Sequence, residues 1–360
     1  MNLNCIGSAV LVLGPWAGAQ DAQVALERRF ATMGTACDLE VRAGSRAEAL
    51  VASEAAVRAL AAVEERLSTW RATSELSRLN ATSVGEPVEV SEELANDLAL
   101  CREWTRATEG AFDASVGPLV ALWDLRGKGR VPRDEELANA LAHCGFERTF
   151  SLDGRRVTRR LDGALLEEGG FGKGLGLDAA VAALESRGAR GFIDLGGQVA
   201  TLGIEREVLL ADPRNRARPV LSWRIASGSL ATSGNSENGR VLDGVRRGHI
   251  LDPRSGRPAA DFGSVTVHCG SAARADAYST AAFVLGREQA LRWDAERSDV
   301  QLVLLVSEGE QLVAFASDEL RDVLRSVLEE VRIEFVDFAA STRKPQSEQR
   351  SQRGIEEEAR

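Results

Sequence analysis

The chain has 360 residues, 44% hydrophobic and 27% charged, with 34 Gly and 9 Pro, the make-up of an ordinary globular protein of one large domain or two. Collagen, coiled coil and wholesale disorder are excluded. With 44 basic against 54 acidic residues the net charge is -10, so no nucleic acid partner is expected.

In chain order, an apolar run from Ile6 to about Trp16 precedes Ala17-Gly18-Ala19, a small-residue pattern that a signal peptidase cuts. Residues 1–20 therefore read as a signal peptide, and the protein as exported. The first residues carry no Lys or Arg, and the same run would also serve as a buried first strand. No later stretch approaches the ~20 apolar residues of a membrane helix. The alternation that ends at Val41, after Met33-Gly34-Thr35, predicts a strand. Apolar positions recurring every three or four residues predict a long helix over 46–67. Ser74 to Asn80 reads as a short capped turn of helix and Val88 to Val90 as a brief strand. Ser91 with Glu92 and Glu93 opens a second long helix, 92–108, ended by Gly110.

Residues 165–203 hold a glycine-rich stretch, a predicted helix over 177–187, and a strand over 191–195 that meets Gly196-Gly197. Further strands are expected at 206–211, 220–226, 263–269, 301–306 and 312–316, and helices at 275–285 and 316–331. This mixture predicts an α+β fold rather than regularly alternating βαβ units. Residues 341–360 are polar, charged and free of aromatics, and read as a disordered tail. The five cysteines show no Cys-x-x-Cys spacing, and with only three histidines a zinc site is not expected. Burial as small residues is their favoured fate, with pairing of two of the last four left open.

Three constellations have chemical content. In Gly169-Gly170-Phe171-Gly172-Lys173-Gly174-Leu175-Gly176 the glycines let backbone amides approach a ligand, and a following helix start and Lys173 would attract phosphate. It is not a P-loop, since Gly174 follows Lys173 where Ser or Thr is required. Asp276 and Thr280 are four apart on a predicted helix and share a face, a partial oxygen shell suited to Mg²⁺ or simply a helix-start carboxylate and a core hydroxyl. His249, in a turn dense with Pro and Gly, is a candidate base, a ligand contact or a turn cap.

These segments occur in one order with Leu67-Ser68-Thr69-Trp70, Gly110-Ala111-Phe112-Asp113, Leu195-Gly196-Gly197 and Ala231-Thr232-Ser233-Gly234. That order, spanning about residues 28–335, resembles the ApbE-like family of FAD:protein FMN transferases. The resemblance implies a Mg²⁺-dependent, metal-binding transferase that cleaves the pyrophosphate of FAD and moves FMN to a Ser or Thr hydroxyl of an acceptor protein, releasing AMP. It implies protein flavinylation in the periplasm or at a membrane, with a membrane or exported redox protein as acceptor. Carried over residue by residue, FAD is contacted by Met33, Trp70, Ala111, Phe112, Asp113, Glu167, Lys173 and Leu251. The metal is held by Asp276 and Thr280, with Ser279 nearby and the Gly170 carbonyl, and His249 and Asp276 are the catalytic candidates. Trp70 stands where the family commonly has Tyr, Glu167 where it has Asp, and Gly170 where it has Ala. A different reading of the same site is an FAD-binding carrier, or an FAD pyrophosphate hydrolase without a protein acceptor.

Overall fold

The computed structural model describes residues 10–12, 23–235, 239–309 and 311–336. A short strand, β1 (Val10–Val12), precedes the hairpin of β2 (Val24–Thr32) and β3 (Thr35–Ala43). Met33 and Gly34 turn this hairpin with φ of 50° and 73°, the two positive values that a tight right-twisted hairpin turn needs. Helix α1 (Arg46–Leu67) starts where the Ser45 hydroxyl accepts from the Glu48 N–H at 3.2 Å. It buries Ala49, Ala52, Ala56, Leu60, Val63 and Leu67, one stripe of its surface. Ser74 and Ser91 cap α2 (Glu75–Asn80) and α3 (Glu92–Ala107) in the same way, with β4 (Pro87–Glu89) between them. Then follow α4 (Gly117–Leu122), α5 (Asp134–Ala142), α6 (Phe146–Thr149), β5 (Phe150–Asp153) and β6 (Arg156–Arg159). Strands β4, β6 and β5 form a small separate sheet in that order.

The second half contributes α7 (Gly172–Glu185), β7 (Arg190–Leu195), β8 (Gln198–Asp212) and β9 (Asn215–Gly234). After a small hairpin of β10 (Arg240–Leu242) and β11 (Val245–Arg247) come β12 (Gly263–Cys269) and α8 (Ala272–Ala295). The described chain closes with β13 (Gln301–Glu308), β14 (Gln311–Ser317), β15 (Leu324–Ser326) and β16 (Arg332–Val336). The main sheet runs β16-β14-β13-β12-β9-β8-β7-β3-β2, with β1 on β8 and β15 on β9. Its pairs are antiparallel except β14 with β16.

Both faces of this sheet are covered, so successive strand residues enter different cores. Leu302 and Leu304 of β13 pack with α3 and α8 around Trp104, Phe112 and Phe283, whereas Val303 and Leu305 pack with Val208, Trp223 and Leu324. A third cluster joins α1 and α7 to β3 and β7 through Leu60, Leu177, Leu39 and Ile193. The helical face therefore carries α1, α7 and α8 side by side, and α7 and α8 meet at the site described below.

The α+β expectation holds, with two local corrections. The helix expected over 316–331 is absent: β14 runs to Ser317, a 3-10 turn covers Asp318–Leu320, and β15 pairs Leu324 with Trp223. Leu320, Leu324 and Val331 have helical spacing, but each is buried against the β8–β9 face instead, so tertiary packing overrides the period. Helix α7 starts at Gly172, five residues before the expected 177, because glycine counts against a helix in local propensity. Helix α8 is interrupted at Gly286 (φ 74°, ψ 170°), close to the end expected at 285.

Of residues 1–20, Val10–Val12 lie antiparallel to Val208–Leu210. The rest of the segment read as a signal peptide, and the tail over 341–360, lie outside the described residues. No described helix is long and apolar enough to cross a membrane. Cys37, Cys101, Cys144 and Cys269 are all buried and unpaired.

Candidate active site

A cavity of about 590 Å³ opens between the N-terminal ends of α7 and α8, the strand end Thr232–Gly234 of β9, and the α2–α4 side of the molecule. That is the size of a small-molecule site. Of the residues singled out in the sequence, Trp70, Ala111, Phe112, Asp113, Glu167, Gly170, Lys173, His249, Leu251, Asp276 and Thr280 all line it. They come from five segments spread over more than two hundred positions of the chain.

The inner end is built by a close helix crossing. A Cβ on Gly174 would lie 2.4 Å from the Ala272 carbonyl oxygen and 2.4 Å from Ala273 Cα, so only glycine allows α7 to approach α8 this closely. Asp178 of α7 locks the register, its carboxylate accepting from Ser271 Oγ (2.7 Å) and the Ala272 (2.6 Å) and Ala273 (3.0 Å) N–H groups at the start of α8. One turn further on, the Gly174 N–H donates to Asp276 Oδ2 at 3.1 Å. Burial raises the pKa of Asp276, with Lys173 and the Gly174 N–H opposing the rise. Thr280 follows on the same face, and a Cβ on Gly170 would stand 3.6 Å from its Oγ1. Ser233 Oγ links this face to β9, 2.9 Å from Ser279 Oγ and 3.5 Å from Thr280 Oγ1.

The glycine segment does not behave as a free loop of amides. Phe171 and Gly172 donate to the Glu168 carbonyl at 3.1 and 2.8 Å, and Gly174 to Asp276. The charge offered to a phosphate is therefore mainly the Lys173 ammonium, with the Arg240 guanidinium also lining the cavity. Burial, then Lys173 and Arg240, lower the His249 pKa to about 4. Its Nδ1 is shut in with no hydrogen-bond partner, so at neutral pH the ring is uncharged.

At the mouth, the Arg126 guanidinium stands 4.5 Å over the Trp70 ring centroid. Arg126 Nη2 donates to Glu167 Oε1 and Oε2 at 2.8 and 2.7 Å, and Nη1 to the Thr69 carbonyl at 3.0 Å. Burial first and the neighbouring Glu168 next push the Glu167 pKa up to about 7, against the pull of Arg126.

Three expected site residues occupy supporting positions. Met33 does not line the cavity; its N–H donates to Glu64 Oε2 at 2.9 Å, and its side chain lies against α7, where a Cβ on Gly176 would be 2.7 Å from Met33 Sδ. Ser279 is buried next to Ser233, donating to the Asp276 carbonyl at 3.0 Å. Asp113 lines the wall, yet Oδ1 accepts from the Ser115 N–H (2.7 Å) and Oγ (2.6 Å), and Oδ2 from the Phe146 N–H (3.0 Å). Its carboxylate braces the start of α6. Arg126, Arg240 and Ser233 were not singled out from the sequence. Ser233 lay in a quoted motif with no role attached, and the arginines lay in segments indistinguishable from solvated loops.

A lysine, a buried carboxylate and hydroxyls at one end of a cavity, with an aromatic at its mouth, are groups that suit a phosphorylated ligand carrying a planar ring. Residues 33–304 match the ApbE family. An FAD:protein FMN transferase of Vibrio cholerae is 32% identical over 279 residues, covering 74% of this chain and 83% of that protein. The crystal structure of the ApbE protein from Thermotoga maritima superposes with a TM-score of 0.73 at 31% identity, covering 79% of this chain and 94% of that one. The flavin transferase ApbE from Vibrio cholerae gives 0.74 at 28%, covering 84% and 99%. The chain belongs to the ApbE family.

Proposed function

We propose that this protein is an FAD:protein FMN transferase, moving FMN from FAD to a Ser or Thr hydroxyl of an acceptor protein and releasing AMP. The observation that carries the reading is the convergence of Lys173, Asp276 and Thr280 at one end of the cavity in a chain of the ApbE family. In the reaction the acceptor oxygen bonds to the FMN phosphorus, the bridging P–O bond to AMP breaks, and the hydroxyl proton leaves. Lys173 offsets the pyrophosphate charge. The neutral His249 ring lines the cavity and can accept the proton, as a weak base that returns it readily.

The oxygen donors at the inner end fit Mg²⁺. Asp276 is a buried carboxylate whose burial favours a cationic partner; Thr280, on the same helix face, and Gly170, whose backbone lies close to Thr280, would add a hydroxyl and a carbonyl as hard ligands. Bound there, Mg²⁺ would supply positive charge to the phosphate oxygens during transfer. Export is the location we infer, supported by the apolar run before Ala17-Gly18-Ala19, with an acceptor that is a membrane or exported redox protein.

The test is incubation of the protein with FAD, with and without Mg²⁺, and with an acceptor domain carrying a flavinylation threonine, followed by intact mass. An Mg²⁺-dependent gain of one FMN less one water on the acceptor supports the proposal. Bound FAD with an unchanged acceptor mass would replace it with the carrier or hydrolase reading, and free FMN and AMP would choose hydrolysis.

A further inference from the structure

We infer that Arg126 is a positioning residue: it holds the Trp70 indole across the cavity mouth as a stacking platform for a planar ring of the flavin dinucleotide. The inference rests on the flavin reading above and goes beyond it in assigning a residue that the sequence did not mark. Trp70 is 69% exposed, and an indole so exposed, in a turn between α1 and α2, has little packing to select one rotamer. What fixes it is the guanidinium stacked 4.5 Å over its ring centroid.

That guanidinium is itself tied down from two other segments. Glu167, just ahead of α7, accepts two contacts of Arg126 Nη2 at 2.8 and 2.7 Å, the Thr69 hydroxyl accepts a third, and the Thr69 carbonyl next to the indole accepts from Nη1 at 3.0 Å. Thr69 is held in turn, its N–H donating to Glu168 Oε1 at 3.1 Å and its hydroxyl to Glu168. Residues 69–70, 126 and 167–168 thus form one latch. A planar π system gains most from an indole oriented in this way; a phosphate does not. Trp70 and Glu167 both touch Arg126.

The experiment measures binding to the full-length protein, in EDTA, of FAD, riboflavin and ADP, for wild type, Arg126→Ala, Arg126→Lys, Trp70→Ala and the Arg126→Ala/Trp70→Ala double variant. Arg126→Ala weakens FAD binding by about two- to fivefold, the worth of one exposed cation–π contact. The same factor appears with whichever of riboflavin or ADP carries the stacked ring and not with the other. Arg126→Lys recovers part of the loss. The double variant binds FAD no worse than Trp70→Ala alone, a coupling that a merely structural role would not produce. FAD binding by Arg126→Ala as tight as or tighter than wild type, or losses that simply add, would overturn the inference and leave the flavin reading intact. A wild-type protein that binds no FAD would overturn both.

Discussion

Replacing Gly174 by Ala tests the crossing that brings the two halves of the site together. The new Cβ would sit 2.4 Å from the Ala272 carbonyl oxygen and Ala273 Cα, and both are backbone atoms that no rotamer change can move aside. Ordinary contact between carbons needs about 3.5 Å, so α7 and α8 must separate by roughly 1 Å. Such overpacking costs about 1–3 kcal/mol, and the better helix propensity of Ala returns about 1 kcal/mol, which leaves a net stability loss of about 0–2 kcal/mol. Activity should respond more strongly, because Lys173 rides on one helix and Asp276 and Thr280 on the other. A misplacement of about 1 Å at reacting groups costs about 10²-fold in rate. Urea unfolding and the initial rate of FMN transfer measure the two effects. Gly176→Ala is the contrast, since its Cβ meets Met33 Sδ and the Leu60 side chain at 2.7 and 3.2 Å, and these can yield. Transfer by Gly174→Ala within about threefold of wild type, or a loss no greater than that of Gly176→Ala, would refute the crossing argument.

In Asp276→Asn the Gly174 N–H keeps an acceptor while the buried charge is gone, so the variant is at least as heat-stable as wild type without divalent cations. It loses the rise in Tm on adding Mg²⁺, and transfer falls by about 10²-fold or more; a Tm that still rises with Mg²⁺ would remove Asp276 from the metal site. The His249 pKa, lowered to about 4, keeps the ring neutral above about pH 5, so the imidazole itself does not titrate near 6.5. An imidazole NMR titration with a midpoint above 6 would contradict this, and unchanged single-turnover transfer in His249→Ala would remove its role as base. Asp294 is buried, with Oδ1 unpartnered and Oδ2 accepting from Ser317 Oγ at 3.0 Å. Burial raises its pKa to about 7. A raised folded-state value means stability is full below the unfolded pKa near 4 and falls as pH rises through 7, by about 2–4 kcal/mol. Asp294→Asn should therefore flatten the pH dependence of urea unfolding between pH 4 and 7, and an unchanged slope would show that Asp294 stays charged.

Much of the helical face was legible because its signals are local: the α1 stripe and the Ser74 and Ser91 caps depend on residues within one turn. The 316–331 segment misled because Leu320 and Leu324 answer to Trp223 and β9, about a hundred positions away. The start of α7 was missed for a related reason: its glycines serve contacts with α8 and Met33 that propensity does not register. In the site, residue identities were legible from the motif order, whereas their duties were not. That Asp113 spends both oxygens on Ser115 and Phe146, or that Arg126 covers Trp70, depends on loops whose sequence carries no period.

The bond from Gly174 to Asp276 spans 102 positions and that from Thr69 to Glu168 spans 99, so the pocket is assembled from distant parts of the chain. A polypeptide still emerging from the ribosome, with residues up to 250 made, has Lys173 but not the carboxylate opposite it. Such a chain lacks the Asp276 and Thr280 end of the site, and so does any folding intermediate in which α8 is undocked. The ligand then binds the completed fold best and stabilises it most. Excess FAD should slow unfolding more than it speeds folding, since the contacts it strengthens join segments about a hundred positions apart. Variants damaged in the early β2–β3 hairpin or α1 would gain longevity from FAD once folded, but less help in getting there.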